Sequence, residues 1–318
     1  MRVGVIGVGA MGKNHLRVYS EMRGVRDIFA FDVDKKATKE IQDPEVSKSS
    51  SLEALLDDVD AVSICVPTAY HYDLAVRVAE AGVHCLIEKP MTLTANEGAQ
   101  LVKSLDDADV IVGVGFVERF NPIVDEIARI ARNPHFIEFK RHNPASARVT
   151  DSTVVQDLMI HDIDILFNVL LKDQEYHLWS VGDANVCKTL ATTNGTYAEL
   201  SASRKACKKV RSVYVELEEC TIEGDFMSQE VYTYRKGGRF GFEGGRYSQE
   251  SVIEKVLVNK NEPLKVELKT FLDCVRKRKP FPVPPQEALR SQMICEDIGR
   301  QIASNDFLCR TSNTLRRS

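Results

Sequence analysis

The sequence predicts an α/β protein in two parts: a doubly wound parallel sheet first, then an α/β domain with an open, mostly antiparallel sheet. Three observations predict it. Short apolar runs alternate with helical patterns over roughly the first 120 residues, the texture changes after Asn121-Pro122, and from Leu178 to Tyr234 strand-like segments follow one another without helices between them. The division is expected at residues 1–119 and 120–318.

In the first part, Arg2–Ile6, Ile28–Asp32, Ala61–Val66, Cys85–Glu88 and Val110–Gly115 read as strands. They are rich in Val and Ile and apolar on both faces, as strands buried between helix layers are. The intervening helices make the connections parallel, right-handed crossovers. His71–Ala81 is one such helix. Thr94–Leu105 is another, opened by Thr94-x-x-Glu97, a capping box in which each side chain satisfies a backbone N–H.

In the second part a helix is expected over Pro122–Ala131, a strand over Phe136–Lys140 and, past a polar loop, a helix from Val154 to Leu171. Strands follow at Tyr197–Ser203, Ser212–Glu218 and Gln229–Tyr234. The glycine-rich stretch Gly237–Gly245 reads as a mobile loop. Two late helices carry apolar stripes, Leu264, Leu268, Phe271 and Val275 in one and Leu289, Met293, Ile298 and Ile302 in the other. The polar tail from Arg310 to Ser318 is expected to be disordered.

The composition narrows the function classes. The net charge of −4 argues against a general nucleic-acid or membrane-surface binder. No apolar run approaches a membrane span, and Met1-Arg2 runs straight into a strand, so no signal peptide is expected. The eight cysteines are scattered without a Cys-x-x-Cys pair, which implies a reduced, cytoplasmic protein. No histidine–cysteine grouping has zinc-site spacing, so no metal is expected.

Gly7-Val8-Gly9-Ala10-Met11-Gly12 follows a strand and opens a helix. The first glycine permits a tight turn, the second lets backbone approach a pyrophosphate, and the third allows close helix–strand packing. The helix start offers free N–H groups to the phosphates. Asp32 ends the second strand, twenty residues past Gly12, where a carboxylate accepts hydrogen bonds from an adenosine ribose. It also repels a 2′-phosphate, which favours NAD over NADP. Nearby Asp34 fits a helix N-cap, leaving Asp32 free for the ribose.

Two further places carry chemistry. Lys89, at the carboxyl end of a strand in Leu86-Ile87-Glu88-Lys89-Pro90, is either a surface lysine or an ammonium that stabilises a developing alkoxide. Asp157 and His161 are spaced i, i+4 on one helix face, with Asp164 three residues on. Leu158, Ile160, Ile163, Ile165 and Leu166 surround them, so the helix is expected to be buried, where acid and imidazole groups need partners or a purpose.

With Val66-Pro67-Thr68-Ala69-Tyr70-His71, Glu88-Lys89-Pro90 and the run from Asp157 to Asp164, the chain resembles the glucose–fructose oxidoreductase/inositol dehydrogenase (Gfo/Idh/MocA) family over nearly its whole length. The resemblance implies a Rossmann domain, a second α/β domain whose open sheet lines the substrate site, a tightly held nicotinamide cofactor, and a homodimer or homotetramer. It implies catalytic roles for Lys89 and His161, with Asp157 assisting, and a Lys89-Pro90 peptide that is often cis. Gly115 to Pro122, Asp157 to Leu166 and Met11 to His15 resemble, more narrowly, members that oxidise the 3-hydroxyl of UDP-N-acetylglucosamine.

On this reading Gly7, Gly9, Ala10, Met11, Gly12 and Asp32 hold the cofactor together with Val66, Pro67, Thr68, His71, Glu88 and Lys89. A sugar or UDP-sugar meets Lys89, Arg119, Asp157 and His161. Either Lys89 or His161 serves as the formal base. His71 also fits a helix-terminal contact, and Arg119 a structural salt bridge. The basic run Arg204–Arg211 reads as a solvated turn, with contact to a substrate diphosphate as the alternative. An inositol or free-sugar dehydrogenase, an NAD-dependent glycoside hydrolase and a non-catalytic dinucleotide sensor remain as competing functions.

Overall fold

The computed structural model describes residues 1–144, 152–243 and 246–315. The chain divides into two compact units, Met1–Phe120 with Glu262–Met293, and Asn121–Asn261 with Ile294–Ser318.

The first unit runs β1 (Arg2–Ile6), α1 (Ala10–Ser20), β2 (Asp27–Phe31), α2 (Lys35–Lys39), β3 (Val46–Lys48), α3 (Leu52–Asp58), β4 (Ala61–Ile64), α4 (His71–Glu80), β5 (His84–Glu88), α5 (Ala95–Leu105) and β6 (Val112–Gly115). All six strands are parallel, in the order β3-β2-β1-β4-β5-β6. The order reverses at β1, which has β2 on one side and β4 on the other; ligands of such sheets bind beyond the strand ends at this switch point. Val3, Val5, Val62, Ile64, Leu86 and Ile87 are fully buried, as strands covered on both faces require. The sequence does not announce β3, an edge strand of three residues with one buried side chain. At α5, Thr94 accepts from Glu97 N–H at 3.2 Å, and Glu97 accepts from Leu93 N–H at 3.1 Å.

The second unit holds α6 (Pro122–Ile130), β7 (Phe136–His142), a helical stretch centred on α7 (Ile160–Ile165), then β8 (His177–Gly182), β9 (Val186–Thr192), β10 (Tyr197–Ser203), β11 (Val210–Glu216), β12 (Cys220–Asp225), β13 (Glu230–Glu243) and β14 (Arg246–Val256). Its eight strands lie in the order β14-β13-β12-β11-β7-β10-β9-β8. Among the described residues, only β7 and β10 pair in parallel, and the other pairings are antiparallel. The outward face beside the β8 edge exposes Trp179, Val181, Leu190 and Tyr197.

Two helices close the chain, α8 (Pro263–Lys277) and α9 (Pro285–Leu315). The sequence places everything after residue 119 in the second part; the structure returns Glu262–Met293 to the first unit. The reason is local. Gly113 on β6 leaves a space that Phe281 fills, since a Cβ there would come within 2.3 Å of its ring. Val114 N–H also donates to the Val283 carbonyl at 3.0 Å.

Three other expectations are corrected. The supposed loop at Gly237–Gly245 is strand as far as Glu243, paired with β14 across a register irregularity between Lys236 and Phe240; residues 244–245 lie outside the described residues. Ladder pairing overrides the weak strand propensity of glycine. The tail is helical to Leu315, because no proline follows Pro285 to stop α9; residues 316–318 lie outside the described residues. On α9, Met293 is exposed while Ile294 and Cys295 are buried, so the buried stripe is rotated from the expected one. No helix among the described residues is long and apolar enough to cross a membrane.

Candidate functional site

The glycine loop joins β1 to α1. Gly7 has φ +88°, and a Cβ on it would lie 2.8 Å from the Cys65 carbonyl. A Cβ on Gly12 would lie 1.9 Å from the Gly7 carbonyl oxygen, so the helix rests directly on the turn. Gly9 differs. It is the N-cap of α1 with no side chain closing the helix end, and a Cβ there would meet nothing within 4 Å. Ala10 and Met11 form the first helical turn beside that space. An uncapped helix start with room beside it fits a pyrophosphate, whose charge the free N–H groups and the helix dipole favour.

Asp32 lies just past β2. Its Oδ2 accepts from Val8 N–H and its Oδ1 from Asp34 N–H, both at 2.8 Å. Asp34 caps α2 by accepting from Lys36 N–H at 2.8 Å. The cap is where the sequence puts it, but Asp32 is not left free: it anchors the glycine loop. A carboxylate has about four lone-pair sites, so capacity for ribose hydroxyls remains.

The loop after β4 carries Val66, Pro67 and Thr68, and Thr68–Tyr70 forms a short turn leading into α4. His71, buried at its start, has Nδ1 at 3.0 Å from the Pro90 carbonyl and Nε2 at 2.9 Å from the Val66 carbonyl. Burial pushes its pKa below the ordinary imidazole value, against smaller upward pulls from these carbonyls. A neutral ring donates to only one carbonyl at a time. Either way, the ring bridges the loop after β4 to the one after β5, where the Lys89-Pro90 peptide is cis.

Lys89 is half-buried, directly beyond β5. Glu88 ends that strand in a buried position, with Oε1 2.9 Å from His15 Nε2 on α1. Gly115 on β6 makes room for this carboxylate; a Cβ there would come within 3.1 Å of it. The donor atoms of His15, Cys65 and Glu88 all lie within 4.8 Å of one another. These residues are far apart in sequence, so spacing gives no sign of the cluster. Arg119 donates to Glu287 at 2.9 Å, the salt bridge that the sequence left open.

In the second unit, widened turns at Val155–Met159 and Leu166–Leu170 flank α7. The Ile160 N–H donates to the Val155 carbonyl, five residues back. Such π-turns occur often at functional sites. All six residues of α7 are buried, as the apolar surround predicts. His161 is 9% exposed. Asp157 Oδ2 accepts from Arg204 at 3.1 Å. Asp162 is gripped by Arg141 at 2.6 and 3.0 Å with both side chains buried, and Asp164 accepts from Asn168 at 2.9 Å.

Arg204 corrects the reading of its basic run. Lys205, Lys208 and Lys209 are exposed, as a solvated turn requires. Arg204 instead turns inward, donating to the Ser152 carbonyl at 2.8 Å and the Thr153 carbonyl at 3.3 Å as well as to Asp157.

Comparison with known proteins fits this geometry. Residues 1–116 match the profile of an oxidoreductase family with an NAD-binding Rossmann fold, Gfo/Idh/MocA. The UDP-N-acetylglucosamine 3-dehydrogenase of Acidithiobacillus ferrooxidans is 30% identical over 290 residues, covering 88% of this chain and 90% of that protein. The chain belongs to the Gfo/Idh/MocA family. It is an oxidoreductase of that family. The solved structure of the Acidithiobacillus enzyme superposes with a TM-score of 0.85 at 27% identity, over 96% of this chain and 98% of that one. An inositol 2-dehydrogenase of Rhizobium meliloti is 29% identical over 231 residues, 65% of this chain and 69% of that protein.

Proposed function

We propose that the chain is an NAD-dependent dehydrogenase acting on a ring hydroxyl of a nucleotide sugar, the 3-hydroxyl of UDP-N-acetylglucosamine. The observation that carries the reading is the 30% identity to an enzyme of that name along nine-tenths of its length. Lys89, Asp157 and His161 are all present to do the chemistry.

A bound nicotinamide would supply the hydride acceptor. Gly7, Gly9, Ala10, Met11 and Gly12 would hold its pyrophosphate, and Asp32 would take the adenosine ribose and disfavour a 2′-phosphate. Val66, Pro67, Thr68, His71 and Glu88 shape the nicotinamide side. Lys89 grips the reacting oxygen and stabilises negative charge on it. His161 takes the hydroxyl proton, and Asp157, held by Arg204, assists it. Arg119 keeps its partner Glu287 and contributes at the substrate through that fixed position.

A second reading, an inositol dehydrogenase, is favoured by the Rhizobium relative. Mixing the protein with NAD and either UDP-N-acetylglucosamine or myo-inositol separates the two. NADH absorbance should rise with the nucleotide sugar. A rise with inositol alone overturns the substrate, and failure with UDP-sugars, free sugars and inositols alike overturns the activity. The exposed Trp179, Val181, Leu190 and Tyr197 support a homodimer or homotetramer, since contiguous apolar patches of this kind mark association surfaces. Light scattering on the eluting protein reads the mass.

A further inference from the structure

A buried arginine stands in the second unit where the strand pattern calls for an apolar side chain. On β7 the buried positions are Ile137, Phe139 and Arg141, alternating with half-buried ones, so Arg141 shares a sheet face with the two apolar residues. Its Nε lies 3.0 Å from both carboxylate oxygens of Asp162, and a terminal nitrogen lies 2.6 Å from Oδ1. Each of the two side chains is only 2% exposed. The guanidinium also lies over the buried Phe226 ring, 5.4 Å from its centre.

Stability alone is a poor reason for such a pair. Both charges lose water on burial, and apolar residues of similar volume often serve a fold as well or better. What apolar residues lack is a single geometry. A guanidinium fork set against a carboxylate has one preferred arrangement, and an aromatic face beside it removes further freedom.

Asp162 sits where one geometry is needed. It follows His161 on α7, with the widened turns Val155–Met159 and Leu166–Leu170 on either side. A turn closed five residues back holds more residues than an α-turn. The helical period of about 3.6 residues therefore does not carry across either junction, and the rotation of α7 must be set from outside the helix. Asp164 cannot set it, since its partner Asn168 belongs to the same helical stretch. Asp157 is tied to Arg204, just past β10. β7 and β10 are hydrogen-bonded neighbours, with Arg141 opposite Ala202, two residues before Arg204. Two arginines from adjacent strands thus grip two carboxylates that bracket His161 in the chain.

We propose that Arg141 is a positioning residue for His161: its ion pair with Asp162 fixes the rotation of α7, and with it the direction in which the imidazole points. The use of that direction in proton transfer rests on the proposed function, whereas the orientation itself does not.

The double variant Arg141→Met/Asp162→Leu removes the pair without leaving either charge behind. Its urea midpoint should stay near that of the wild type, while kcat falls by about 10²-fold with KM unchanged. Arg141→Lys keeps a cation but loses the fork, so it too should lower kcat, and it carries the test if the double variant does not fold. A pair that served stability alone would leave kcat at the wild-type value in these variants once folded, and that result overturns the proposal. Orientation is read without turnover by NMR of protein carrying isotope-labelled histidine. The chain has seven histidines, and His161→Gln assigns the His161 signal. That signal should shift or broaden in the pair variants, while that of His84 on β5 stays in place. An unmoved His161 signal in a folded pair variant also overturns the proposal. If the wild type turns over no substrate, the spectra still decide the orientation, and only the proposed function fails.

Discussion

Arg204 reaches the carboxylate of Asp157 at 3.1 Å while its other terminal nitrogen donates to the Ser152 carbonyl at 2.8 Å. One guanidinium thus ties the residue after β10 to the start of the helical stretch that carries His161. The planar fork is what allows three acceptors to be met at once, and a lysine cannot copy it. Arg204→Lys should keep the fold and lower kcat. Arg204→Ala leaves Asp157 without this partner and should cost about 3–5 kcal/mol, read by urea unfolding.

The three glycines of the loop should separate folding from cofactor binding. Gly12→Ala puts a methyl group 1.9 Å from the Gly7 carbonyl oxygen, where backbone must shift. It should destabilise the protein by about 1–3 kcal/mol and weaken NAD. Gly9→Ala meets no protein atom and should leave the unfolding midpoint unchanged. Its methyl group occupies the space proposed for the pyrophosphate, so the Kd for NAD should rise by about tenfold or more, measured by calorimetry. Equal loss of stability in both variants would contradict the assignment.

Lys89→Met and His161→Ala should each lower kcat by about 10²–10⁴-fold while NAD still binds. Cofactor binding read by calorimetry and turnover read by NADH absorbance keep the two effects apart. If Lys89→Met abolished NAD binding instead, Lys89 would belong to the cofactor site alone.

Stability should fall on the acid side through imidazoles that folding shields from water. His71, His84 and His142 are all held below the ordinary imidazole value, with burial the largest cause in each. A histidine neutral in the folded state binds fewer protons there than in the unfolded chain. The stabilisation is therefore complete above the unfolded value of about 6.5 and is lost as pH falls below it. His71→Gln should flatten part of that loss in urea midpoints measured across the window. Glu267 on α8, fully buried and held by that burial well above the usual carboxyl range, acts with the opposite sign, so Glu267→Gln should change the other arm of the profile.

The parallel sheet was legible because each strand is a short Val/Ile-rich run followed by a helix pattern, and because Gly7, Gly9 and Gly12 mark one particular turn. β3 escaped because an edge strand with one buried side chain has no period to detect. The strand running through Gly237 escaped because pairing with β14, not local propensity, decides it. Of the proposed site, Lys89, Asp157 and His161 stood out through strand position and helical spacing. Arg204 did not, since its inward turn depends on acceptors some fifty residues earlier in the chain. Glu267 was hidden in plain view: it lies in the apolar stripe between Leu264 and Leu268, where a single acid reads as an exception to the pattern.

On the proposed NAD reading, the bond from Val8 N–H to Asp32 also constrains any change of coenzyme. Removing the carboxylate to admit a 2′-phosphate would also cut the tether that sets the glycine loop. A route to NADP therefore needs two compatible changes: a neutral acceptor that still holds Val8, such as an amide or hydroxyl, and a separate cation for the extra phosphate. A lone Asp32→Ala exchange would loosen the grip on both coenzymes before it favoured either.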